Sequence, residues 1–325
     1  MLLLFALKGI GQDLHFSQYY SSPLNLNPSL TGQFDGDYRF VGNYRNQWNS
    51  ITIPYRTYSF SADARNVFNH NNIHAGLTAF SDDAGDSNFG TVQVGLSGGY
   101  SYPLTPDSAH AITFGVQPSF VQRKLNYADL TFDNQYSTQQ GRFDPSLASK
   151  ENFQSDNFSF FNLAAGLSWD YKLSRTAKTT TGIAIHNLTK PKQTLFSSDD
   201  VRLNRRVTFH TNGQFLAWPQ IELLPGFSYM KQGSYREIVF GSSARYLLNG
   251  LTNLHVGYWY RNQDAGFVTA GITHQNVYMG FSYDINTSDL KPASNGRGGV
   301  EFSIIYIIRK FDGRIVKYKA CPNYL

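Results

Sequence analysis

Long apolar runs are the first thing this 325-residue chain does without. After the stretch Met1 to Leu7, the longest is Ile304-Ile305-Tyr306-Ile307-Ile308, far short of the roughly 18 residues a spanning helix needs. Membrane helices are excluded by that count. Cysteine is almost absent: Cys321 stands alone, so no intrachain disulfide framework can hold the fold. Charge is scarce as well, 16% of residues against roughly 25% in ordinary soluble domains. The net charge of +5 comes from scattered Lys and Arg with no dense basic block, which argues against a nucleic-acid partner.

Catalytic and ligand-binding signatures are missing too. The eight histidines show no HExxH spacing, and no glycine-rich phosphate loop opens a helix. Ser81-Asp82-Asp83-Ala84-Gly85-Asp86-Ser87-Asn88 resembles a calcium loop but lacks its distal bidentate Glu, so a polar hairpin loop is the reading. His210 and His255 fall on polar strand faces, as hydrated interior side chains rather than metal ligands. No catalytic, cofactor or metal residue is expected, although spacing alone leaves open a Ser/His/Asp site assembled across strands.

What the chain does have is aromatics, 15% of the total with 25 Phe and 21 Tyr, in a pattern of period two. Val92, Val94, Leu96, Tyr100 and Tyr102 share one face of a segment whose other face carries Thr91, Gln93, Ser97 and Ser101. Ile112, Phe114, Val116 and Phe120 oppose Thr113, Gln117 and Ser119 in the same way. So do Val207, Phe209 and Phe215 against Thr208, His210, Asn212 and Gln214, and Val277, Met279, Phe281, Tyr283 and Ile285 against Gly280, Ser282 and Asp284. Alternation in segments of about ten residues is the signature of a transmembrane β-strand. Averaging over the two faces explains a mean hydropathy of only −0.36.

The expected fold is therefore all-β: a transmembrane antiparallel β-barrel of about fourteen strands, an even number, of the outer-membrane type. The strands are expected at 37–46, 55–65, 72–81, 90–102, 110–122, 158–172, 179–188, 205–217, 220–231, 236–248, 252–262, 265–274, 276–286 and 299–310. Loops after odd strands (47–54, 82–89, 123–157, 189–204, 287–298) are longer than those after even ones. That sorting suits long extracellular loops and short periplasmic turns, with both chain ends in the periplasm. Tyr100, Tyr102, Trp169, Tyr171, Tyr258 and Tyr260 sit near strand ends, where headgroup girdles lie. Residues 1–11 read as a signal peptide, shortened at its basic end. Residues 12–36 form a periplasmic or lumen-plugging segment, 37–310 the barrel, and 311–325 a periplasmic tail. Interior charge is expected on the first two strands, Arg39 and Arg45 against Asp63 and Arg65. The 123–157 connection, with Tyr136 and Phe143 among its aromatics, folds inward as a constriction or outward as a docking surface.

Specific motifs then carry a resemblance. Gln12-Asp13-Leu14-His15-Phe16-Ser17-Gln18-Tyr19, followed by Asn27-Pro28 and Gly32, resembles the opening of the PorP/SprF family of type IX secretion membrane proteins. Tyr44-Arg45-Asn46-Gln47-Trp48 with Tyr55, Thr57, Ser59 and Asp63 is similar to the same family, as are Ser282-Tyr283-Asp284-Ile285-Asn286, the run Leu290 to Gly299, and Cys321-Pro322. The resemblance implies an outer-membrane protein of Bacteroidota that is not an enzyme. It would act with type IX secretion components on an exported protein carrying a C-terminal sorting domain, docking or anchoring a surface protein such as a gliding adhesin. Partner-contact candidates are Trp48, Arg45, Tyr136, Phe143 and Arg297. The alternative is a passive small-solute channel, and the two differ in whether the lumen is open.

Overall fold

Backbone N–H and C=O groups in hydrocarbon must all be paired, which leaves a closed ring of strands as the only sheet that can span. The computed structural model meets that demand: fourteen antiparallel strands close into one barrel. It describes residues 16–47, 54–84, 89–107, 109–125, 130, 132–137, 141–144, 146–148, 157–193, 201–288 and 296–310. The strands are β1 (Tyr38–Gln47), β2 (Tyr55–Ala64), β3 (Ile73–Ala84), β4 (Phe89–Pro103), β5 (His110–Lys124), β6 (Asn157–Lys172) and β7 (Ala177–His186). They continue as β8 (Arg206–Trp218), β9 (Ile221–Gln232), β10 (Tyr235–Leu247), β11 (Thr252–Arg261), β12 (Ala265–His274), β13 (Val277–Asn286) and β14 (Arg297–Ile308). Each pairs with its sequence neighbours, and β1 closes on β14 with Tyr38 opposite Ile308. Among the described residues no helix is long and apolar enough to cross a membrane.

Every expected strand is present, with ends displaced by a few residues. The largest displacement is at β3, which runs on to Ala84 through Asp82 and Asp83. Asp82 faces inward and accepts a hydrogen bond from Thr57 Oγ1 (2.6 Å). Polar residues extend the strand there because the interior tolerates them. Residues 85–88, the rest of the calcium-like stretch, lie outside the described residues.

The two faces of the wall separate by chemistry. Leu96, Phe161 and Val256 point outward and are the most exposed of the large side chains on the strands, at 64%, 74% and 66%. Inward positions are mostly Ser, Thr, Asn, Gln, Gly or paired charges, with apolar exceptions such as Val41, Val239, Trp259 and Phe267. Outward side chains meet across strands, as Phe281 with Phe302 (5.0 Å) and Tyr44 with Tyr58 (5.0 Å). His110, Trp169 and Tyr171 form a ring cluster at one rim.

Loop sorting is partial. The connections after β5 and β7 are long, but those after β9 (Gly233 and Ser234) and β11 (262–264) are tight turns on the same end. Within the long β5–β6 connection, Tyr136–Ser137 pairs antiparallel with Arg142–Phe143.

Candidate functional site

The wall does not enclose empty space. Residues 16–33 run through the barrel as three single turns, Tyr19–Ser21, Pro23–Leu26 and Pro28–Leu30. Pro23 and Pro28 each occupy the first position of a turn, where a fixed φ and a missing N–H cost nothing. The side chain of Asn27 caps the third turn by accepting the Ser29 N–H (2.9 Å). Such short turns have no independent stability. Their geometry is held by the wall.

The path has a direction. At the short-turn end Asp35 pairs with Arg309 (3.1 Å), and Asp37 accepts the Lys310 N–H (2.7 Å). Gly32 N–H then donates to Asp63 Oδ2 (2.7 Å), and Thr31 Oγ1 meets Ser97 Oγ (2.5 Å). At mid-barrel Asn27, fully buried, donates to the carbonyls of Leu167 and Ile183 (3.3 Å each) and to His210 Nε2 (3.1 Å). Ser17 and Gln18 lie in the long-loop half, where the Glu301 carboxylate accepts both backbone N–H groups (2.8 and 2.9 Å). The strand ends Tyr38 and Ile308 lie together at the short-turn end, whereas Phe16 is close to the other.

Two glycines make room for this path. Gly115 and Gly166 face each other across β5 and β6. A Cβ on Gly115 would stand 2.3 Å from the Pro28 carbonyl carbon, and one on Gly166 only 1.9 Å from Asn27 Oδ1. Any side chain at either point collides with the segment.

Two kinds of contact hold it. On one side Tyr19, Leu26 and Leu30 form an apolar cluster with Val239, Trp259 and Phe267 of the wall, with Tyr20 stacked on Trp259 (5.0 Å). Charges supply the other kind, some of them on the same strands as the apolar cluster. Arg39 grips Asp63 with two donors (2.9 and 2.7 Å) and reaches the Leu30 carbonyl (3.0 Å). In the long-loop half Arg261, 1% exposed, approaches Asp264 (2.7 Å), Asp284 (3.3 Å) and Glu237 (3.6 Å). It also donates to Ser17 Oγ (2.5 Å), and that hydroxyl donates to Asp284 (2.9 Å). Removing charges from water is costly unless they are paired and hydrogen-bonded. Here the segment supplies part of that pairing.

The expected strand charges divide accordingly. Arg39 meets Asp63 as anticipated, but Arg45 reaches Asp284 (3.5 Å) and Glu301 (3.9 Å) instead. Arg65 lies beyond β2 and donates outward to the Phe34 carbonyl (3.3 Å). The register explains this: Arg45 stands opposite Glu301 on β14 and Thr57 on β2. Its acidic partners come from the far end of the chain, out of reach of local reading.

Of the five partner-contact candidates, Arg45 is buried in that interior cluster. Tyr136 and Phe143 sit opposite each other in the short strand pair of the long loop, both exposed. Arg297 opens β14 at the rim and is exposed. Trp48 lies outside the described residues. The four described candidates are not brought together. Sequence reading missed Ser17, Gln18, Asn27, Arg261 and Glu301 as contact residues. The available signal was buried-type charge at inward positions of strand ends, together with inward glycines.

Hydrolytic geometry can be tested at His74, which approaches Ser101 Oγ at 2.8 Å. Its Nδ1 accepts the Asn66 N–H (3.2 Å), so in a neutral ring Nε2 carries the proton and donates to Ser101. The Ser101 oxygen also accepts from Gln33 Nε2 (2.8 Å), leaving its own proton for Thr113 (2.9 Å). A general base needs the reverse polarity. Among the described residues no group of His, Cys, Asp and Glu is placed to hold a metal ion.

The segment leaves one part of the interior unfilled. A cavity of about 540 Å3 lies between Tyr20, Ser21 and Trp259 above and the short-turn end below. His255, expected as a hydrated interior side chain, lines it and bonds to Thr273 Oγ1 (2.9 Å).

Comparison with known proteins agrees with the architecture. The chain superposes on the Ralstonia pickettii toluene transporter TbuX with a TM-score of 0.53 at 12% identity, covering 88% of this chain and 92% of that one. The CymD monoaromatic hydrocarbon channel gives 0.53 at 11% identity, over 89% and 93%. The P. putida toluene transporter TodX gives 0.50 at 11%, over 87% and 93%. Identities this low establish the shared barrel fold alone. No curated protein sequence matches the chain. The family profile described as type IX secretion system membrane protein PorP/SprF matches residues 9–306. Fold and profile together place the protein in the outer membrane.

Proposed function

Because the chain belongs to the PorP/SprF family of type IX secretion membrane proteins, we propose that it docks or anchors an exported surface protein at its long-loop end. It does so without catalysis and without conducting that protein through its own lumen. The observation that supports this most is the occupied interior. A segment bonded to strands around the ring, from Asp63 on β2 to Glu301 on β14, turns the barrel into a fixed platform. The work then falls to its rims. Tyr136 and Phe143, adjacent and exposed on one small hairpin, have the character of aromatic anchors in protein interfaces. The partner class is a cargo with a C-terminal sorting domain, a gliding adhesin of a Bacteroidota cell being the kind of surface protein envisaged. Co-purification of the tagged barrel from native outer membranes tests this. Recovery of type IX components or a sorting-domain protein supports the reading. Their absence, under conditions that keep the barrel folded, ends it.

A second reading is a small-solute channel, favoured by the cavity at the short-turn end. It requires the segment to move. Steady conductance of the full-length protein in planar bilayers, with surface export undisturbed on deletion of its gene, would select it.

A further inference from the structure

We propose that the chamber under the inserted segment is a binding site for an amphipathic carboxylate, an anionic head on an apolar body, entering from the short-turn side. The chamber's size, about 540 Å3, falls in the range of small-molecule pockets. One flank of the chamber is apolar although it faces the lumen. Leu224, Ile305 and Ile307 are apolar side chains at inward positions, where a water-filled barrel places polar ones. They stand apart from the apolar cluster that the segment covers. Ile307 packs against Gly36 at the edge of the chamber, and an apolar ligand body would extend that contact to Leu224 and Ile305.

The charged lining is one-sided. Lys178, Arg245 and Arg309 border the chamber, and among the described residues no Asp or Glu does. Arg245 is engaged by Glu222 and Arg309 by Asp35. Lys178 is exposed and makes no ion pair among the described residues. A single compact ammonium at the mouth of a chamber with one apolar flank suits one monoanionic head. The roof is Tyr20 and Trp259, so the ligand body ends against a tryptophan.

That tryptophan supplies the test. Full-length protein in phospholipid nanodiscs, with Trp48, Trp169 and Trp218 each changed to Phe, reports through Trp259 alone. A brominated dodecanoate quenches it saturably, while brominated dodecanol, which lacks the charge, does so only in proportion to its lipid partitioning. Lys178→Gln weakens the carboxylate's apparent affinity about tenfold, as loss of one charge-assisted hydrogen bond requires, and Lys178→Arg retains it. Lys178 is exposed, so neither variant threatens folding. Quenching that never saturates, that is equal for the acid and the alcohol, or that is indifferent to Lys178→Gln overturns the proposal. None of these results depends on which exported protein the long-loop end holds.

Discussion

The wall of the barrel and the segment inside it are built by opposite rules. In the wall each residue's direction follows from its parity: Leu96 is out because Ser97 is in, and Leu96 meets Leu77 on the next strand with the same sense. In the segment no parity operates. Asn27 is buried because Gly166 and Gly182 leave a hollow for it, and Ser17 because Glu301 and Arg261 need its donors and acceptor. The wall is therefore robust to single changes on one face and would close without the segment. The segment cannot hold its shape without the wall.

Deleting residues 16–33 tests that asymmetry most severely. The expected outcome is a folded barrel, judged by heat-modifiable migration on gels, that now conducts ions in planar bilayers where the intact protein is silent. Water replaces the lost partners of Asp63, Asp284 and Glu301, so the wall survives. A deletion that remains non-conducting would show that something other than this segment seals the interior. Asp63→Ala comes next. It strands Arg39 and frees the Gly32 N–H, and breaking a buried pair by removing one partner costs about 3–5 kcal/mol. Limited proteolysis should then cut within 16–33 while the strands stay protected.

Leu96→Arg attacks the wall instead. A charge on the lipid face near the bilayer midplane costs about 2–4 kcal/mol, and the loss should be read in the midpoint of urea unfolding in lipid vesicles, with the segment's protection lost only together with the barrel. Gly166→Ala is milder and has the reverse pattern. Overpacking of this kind typically costs about 1–3 kcal/mol, and here it falls on Asn27, so the segment loosens while the barrel's unfolding midpoint holds. Equal effects of these two substitutions on both readouts would mean that wall and segment unfold as one unit.

How much of this was legible beforehand follows the same division. The alternations at 91–102 and 277–285 placed every side chain on its observed face, because a strand's period is a local property and one buried register enforces it. His210 faces the interior as its strand parity predicts, but it is fully buried against Asn27 rather than hydrated, and that partner lies 183 residues away. Arg45 was expected to pair with the second strand and is held by Asp284 and Glu301. Closure of β1 on β14 creates that contact, and no window of the chain contains both sides of it. Ser17, Asn27, Asp63 and Asp284, picked out as separate motifs, turn out to be the two halves of contacts between segment and wall. Their grouping needed the fold. Tyr136 and Phe143 were readable as aromatics in a long loop, though not as opposed residues of one hairpin.

The smallest effect on stability is expected where the proposed docking effect is largest. Tyr136 and Phe143 are exposed and stand opposite each other across a two-residue ladder. Exposed positions of this kind change stability by no more than about 0.5 kcal/mol. Tyr136→Ala with Phe143→Ala should therefore leave the unfolding midpoint, the proteolytic protection of 16–33 and the closed state of the barrel as they were. Aromatic anchors at an interface cost upwards of about 2 kcal/mol on truncation, so recovery of the exported partner in pull-downs should fall by more than tenfold. Undiminished recovery with an intact barrel would move the docking surface elsewhere on the long-loop rim, with exposed Arg297 the next position to change. A double variant that also unseats the segment would instead reveal a mechanical link between rim and interior, and the two regions could no longer be treated as separate structures.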